Sequence, residues 1–146
     1  MDNCWRLIAA VGAAFMATGW LDVGLFWLPS EVGDAGWEFG VISASLNGFA
    51  VPVMGTALLL AGAVGSGQRR LARFAQAAAV GAVVVVGLMA VLYGLSVLVV
   101  LGATSDPTGM SSITKMIARS VVQIAMYPMV LGVLVFRANQ FMKRAT

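Results

Sequence analysis

Four long apolar runs alternate with short polar connections along the chain. The first, about Trp5 to Leu28, is entered past Arg6, carries Trp20 and Trp27 towards its far end and is closed by Pro29. The second, about Leu46 to Gly65, leads into a short basic connector of Ser66, Gly67, Gln68, Arg69, Arg70 and Arg73. The third, about Phe74 to Ala103, is the most apolar and is long enough to tilt or to extend beyond the hydrocarbon. A turn is predicted at Ser105, Asp106, Pro107, Thr108 and Gly109, with Ser111 or Ser112 capping the last helix. That helix is expected over about Ile113 to Phe136, ending in Arg137, Lys143 and Arg144. Each run meets the roughly 20 apolar residues a bilayer-spanning helix needs. The pattern therefore predicts an all-α fold: a bundle of four transmembrane helices forming one membrane domain over residues 1–146.

The first connection, Pro29 to Ser45, carries Glu31, Asp34 and Glu38 and no basic residue. Asp34 is placed to cap a short helix in which Trp37, Val41 and Ile42 fall near one face and Phe39 is offset. Such a helix either lies in the outer membrane interface or packs onto the ends of the spans. Both arrangements put Trp37 at the headgroup level.

Composition agrees with the pattern. With 60% hydrophobic and 10% charged residues among 146, a water-soluble fold would have no surface, and four spans leave no room for a separate soluble domain. Nine Lys and Arg exceed six Asp and Glu, which raises nucleic acid as a partner. The basic residues sit at helix ends, however, where they orient a membrane chain. Arg6, Arg69, Arg70, Arg73, Arg137, Lys143 and Arg144 fall on one side, and Lys115 and Arg119 on the other. The positive-inside rule then places both termini in the cytoplasm and the acidic first loop outward; a bacterial inner membrane is the expected location. The run behind Arg6 is too long for a cleaved signal peptide and reads as a retained anchor.

The sequence holds one cysteine, Cys4, and no histidine, which removes intrachain disulfides, zinc sites and histidine acid–base chemistry. Cys4 reads as a small residue at the membrane edge, with palmitoylation as the alternative. Haem or chlorophyll ligation through histidine is excluded as well. A pigment held by Gln, Asn, a backbone carbonyl or water, or a bound lipid, stays open. With no metal constellation, no nucleophile beside a base and no phosphate-binding loop, an enzyme is not expected.

Helices in lipid associate through close contact at small residues and through a few polar bonds. Gly48, Gly55 and Gly62 recur every seven residues in the second span, with Ala57, Ala61 and Gly65 on a neighbouring stripe. Ala9, Ala13 and Ala17 do the same in the first span, and Gly87, Ala90 and Gly94 in the third. These faces are expected to pack, and Pro52 to kink or loosen the second span.

Asp22 is the one acidic residue inside a span, on the stripe Ala10, Ala14, Thr18, Asp22, and an intramembrane carboxylate is a functional candidate. Arg119, Gln123 and Tyr127 form a matching stripe in the last span. Three readings are open for Asp22: pairing with Arg119, with Gln123 and Asn47 completing a network; reaching to the interface while Arg119 snorkels; or carrying protons.

Two families share features with the chain. The small multidrug transporters are similar in having four spans and an acidic residue in the first, which implies proton-coupled transport through Asp22. Their carboxylate is mid-span, whereas Asp22 is near the outer end. The stretch Leu28, Pro29, then Gly36, Trp37, Glu38, and Ala50, Val51, Pro52, Val53, Met54, Gly55, followed by Ala57 to Leu60, resembles the first loop and second span of HpsJ-type bacterial membrane proteins. Those are small multispanning proteins associated with polysaccharide secretion, so the resemblance of residues 28–60 implies a non-enzymatic envelope role. Small-residue faces, short loops and no chemistry of its own lead to the expectation of an accessory or scaffold subunit of a photosynthetic, respiratory or secretion complex. Its partners would be lipid and other membrane subunits, not nucleic acid. A small transporter using Asp22 is the alternative.

Overall fold

A computed structural model describes residues 2–28, 30–103 and 107–144. They form α1 (Asp2–Leu25), α2 (Ala35–Gly48), α3 (Ala50–Gly65), α4 (Arg69–Ala103) and α5 (Pro107–Arg144). Among the described residues, four stretches are long and apolar enough to cross a membrane: Asn3–Leu25, Gly36–Gly65, Arg69–Gly102 and Ile113–Phe141.

The second stretch begins about ten residues earlier than the hydropathy pattern places it, because α2 and α3 together supply it. Asp34 caps α2 as expected, its carboxylate accepting the Trp37 N–H at 2.6 Å. Gly33, at φ 103°, turns the chain into the cap in a conformation that favours glycine, and its N–H donates to Glu38 Oε1 at 3.1 Å. Val41 and Ile42 are buried, so α2 packs into the bundle, against α1, α4 and α5. Phe39, expected to be offset, is also buried and stacks on Tyr93 with centroids 5.5 Å apart.

A single residue, Phe49, separates α2 from α3 and keeps right-handed helical dihedrals. The cause is Pro52: it has no N–H to give the Gly48 carbonyl, so one bond of the helical ladder is missing there. The ladder is carried past the gap by Phe49 N–H to Ser45 O at 3.0 Å and Val53 N–H to Phe49 O at 3.1 Å. At the other end of α3, Gly67 adopts φ 70° and the Ser66, Gly67 and Gln68 amides return to the last carbonyls of the helix. Arg69, Arg70 and Arg73, read from the sequence as connector, already belong to α4.

α5 extends the expected last span at both ends. It starts at Pro107, a residue suited to the first helical turn, so Pro107, Thr108 and Gly109 are helical rather than a turn, and Ser111 and Ser112 lie inside the helix rather than capping it. Pro29, Ser105 and Asp106, assigned to the closing of the first span and to the third connection, lie outside the described residues. At about 1.5 Å per residue, α4 and α5 each exceed the roughly 30 Å hydrocarbon core.

The α1 backbone lies along α3 and otherwise comes close only to that of α2 among the described residues, whereas α4 and α5 pack on each other and on α2 and α3. Phe49, fully buried at the α2–α3 junction, receives Trp20 edge-on at 5.1 Å and Tyr127 at 6.4 Å. Gln76 donates to Asn139 at 2.8 Å, tying α4 to α5 near Arg73 and Arg137. Arg6 shares a small cavity with Gln68 and Leu71, which puts it at that same end. Trp27 and Trp37 meet edge-to-face at 6.2 Å near the opposite end.

Candidate functional site

The α1–α3 seam shows what the glycines of this chain do. A Cβ at Gly55 would collide with the Met16 backbone, and one at Gly62 with the Ala9 backbone. At Gly48 it would press on the Phe26 ring at 3.1 Å. The Gly48, Gly55, Gly62 stripe is thus the face on which α1 lies. Its counterpart on α1 is not Ala9, Ala13 and Ala17 as a set. Ala9 is buried and Ala13 partly so, but Ala17 is exposed. Gly12 and Gly19 carry the contact instead, against the Leu59 backbone and the Pro52 ring. Their seven-residue spacing matches that of α3, a signal present in the sequence but hidden among the more numerous alanines.

Gly87 and Gly94 do not pack against any of the described residues. Both are exposed, and a Cβ on either would meet nothing within 4 Å. The reason is angular: the buried face of α4 runs through Ala79, Ala82, Val86, Met89 and Tyr93, so Gly87 and Gly94, each one residue after a buried position, stand about 100° away from it. Gly81 and Gly102 are open in the same way.

Of the predicted polar network, Asn47, Gln123 and Tyr127 come together and Asp22 does not. Gln123 Nε2 donates to Asn47 Oδ1 at 3.1 Å, joining α5 to α2, while Asn47 Nδ2 donates to the Ser43 carbonyl at 2.9 Å. The buried Tyr127 side chain lies beside the Gln123 amide one turn along α5. Asp22 sits on an exposed face of α1. Arg119 is also exposed. Because α1 and α5 make no contact among the described residues, the expected Asp22–Arg119 pair is not formed. Antiparallel depth alone cannot bring two residues together when their helices are not neighbours.

The interior holds further polar atoms, most of them on residues that the pattern did not single out. The hydroxyls of Ser43, Ser45 and Tyr93, and Gln123 Oε1, are buried without a hydrogen-bond partner among the described residues. Thr56 and Ser96 bond back to their own helices, to Pro52 O at 2.7 Å and Leu92 O at 3.0 Å.

At the tryptophan end, α2, α4 and the connection between α1 and α2 border a cavity of about 260 Å³, walled by Trp27, Trp37, Ile42 and Leu95, with Glu38 the charged group in its wall. No family model, curated protein or solved structure matches the chain.

Proposed function

We propose that the chain is a non-catalytic accessory or scaffold subunit of a larger membrane protein complex, held in a bacterial cytoplasmic membrane with both termini inside. The observation that carries this reading is the contrast between two glycine faces. That of α3 is filled by α1 at backbone contact, whereas Gly87 and Gly94 on α4 stand open. Glycine inside a helix is unfavourable by about 1 kcal/mol relative to alanine, and in lipid its common use is to admit another helix closely. A helix from another subunit fits that use. Asp22 and Arg119 add to it, since both are exposed on spans and no ion pair joins them to the described residues.

The orientation rests on the basic end: Arg6, Arg69, Arg70, Arg73 and Arg137 belong to the end opposite the paired tryptophans, and positive charge favours the cytoplasmic side. The N-terminal turn of α2, with Trp37, then sits at the outer headgroup level. A secretion assembly is favoured among host complexes by the resemblance of residues 28–60 to HpsJ-type proteins. Against transport by Asp22, the carboxylate faces outward from a peripheral helix rather than into the bundle.

Purification of the tagged chain from its native membrane in mild detergent, with mass spectrometry of what stays bound, tests the proposal. A defined complex with stoichiometric partners is expected. A homogeneous monomer or dimer overturns it and directs attention to proton-coupled transport.

A further inference from the structure

The cavity at the tryptophan end combines three features. Its wall is apolar, built by Leu95 and Val99 of α4 and the rings of Trp27 and Trp37. It lies where those two indoles meet, and tryptophan favours the headgroup level of a bilayer. Its charged lining group is an acid, Glu38, with one carboxylate oxygen held by the Gly33 N–H. The surrounding segment adds Glu31 and Asp34 and no Lys or Arg between Phe26 and Ser45.

We propose that this cavity takes an acyl chain of one phospholipid whose headgroup carries a primary ammonium, with the ammonium meeting Glu38. An apolar slot opening beside a carboxylate at headgroup level matches a molecule with a hydrocarbon chain below and a cationic donor above. The acidic segment repels an anionic headgroup, and the volume suits a chain segment rather than a whole lipid. Glu38, placed by the Gly33 bond and by the Asp34 cap of its helix, is preorganised for the contact. The assignment is independent of any partner subunit.

The test uses the full chain in detergent, with phosphatidylethanolamine and phosphatidylglycerol of identical acyl composition supplied together and retained lipid counted by native mass spectrometry. A partly exposed ion pair contributes modestly, so a roughly two- to five-fold preference for phosphatidylethanolamine is expected. Glu38→Gln should remove the preference and Glu31→Gln should leave it, while Val99→Phe, which narrows the slot, should lower retention of both lipids. Brominated phosphatidylethanolamine should quench tryptophan emission in a Trp5→Phe, Trp20→Phe background, which leaves Trp27 and Trp37 as reporters. Equal retention of the two lipids, or a preference that survives Glu38→Gln, overturns the assignment.

Discussion

Among single residues, Asp22 and Gln123 make the sharpest contrast. Asp22 is the more conspicuous in sequence, a carboxylate inside an apolar run, yet it faces outward and has no partner on α5. Asp22→Leu should therefore leave the melting temperature of the detergent-purified chain unchanged, and a large drop would show that the carboxylate is held inside the fold. Gln123 is less conspicuous and matters more to packing, since its amide reaches Asn47 across two helices. Interhelical hydrogen bonds in membranes average about 0.6 kcal/mol and reach about 1.7. Gln123→Leu should cost an amount in that range in reversible unfolding in mixed micelles, and Asn47→Leu about the same. If the bond is the common cause, the double variant loses little more than either single one.

Among elements, the seam between α1 and α3 makes the clearest stability claim. Gly55→Leu forces a side chain into the Met16 backbone, and overpacking of this kind costs about 1–3 kcal/mol or more. Gly87→Leu meets open space and should leave the isolated chain as stable as before. Comparing the thermal unfolding of both variants checks the assignment of the two faces, and equal destabilisation would contradict it. Pro52→Ala restores the N–H that the Gly48 carbonyl lacks. The amide created at position 52 should be protected from hydrogen exchange, while the substitution disturbs the contact of Gly19 with the proline ring.

Much of this element-scale picture was legible in the sequence. Runs of apolar length, the Asp34 cap and the seven-residue glycine stripe of α3 depend on local periodicity, which one chain displays directly. Three features were not. The merging of α2 with α3 was obscured because Ser43, Ser45 and Asn47 interrupt the hydropathy of a segment that is nonetheless buried. The separation of Asp22 from Arg119 depends on which helices are neighbours, a matter of bundle order that span periodicity does not encode. The cavity beside Glu38 requires residues from α2, α4 and the connection before α2 to converge, and none of them stands out alone.

At the scale of the whole molecule, the helices are unequal in how they are held. α1 is a peripheral strap on α3, while α4 turns one face inward and leaves an apolar, glycine-bearing face outward. Lipid covers an apolar face without difficulty, but only a closely approaching helix makes use of its glycines. The most direct measurement is photocrosslinking in native membranes from probes placed at Gly87 and Gly94, with a probe at Leu7, exposed on α1, as reference. The account predicts a discrete crosslink to another membrane protein from the two α4 positions and none from Leu7. Adducts to lipid alone at both α4 positions, or to a second copy of this chain alone, would contradict it.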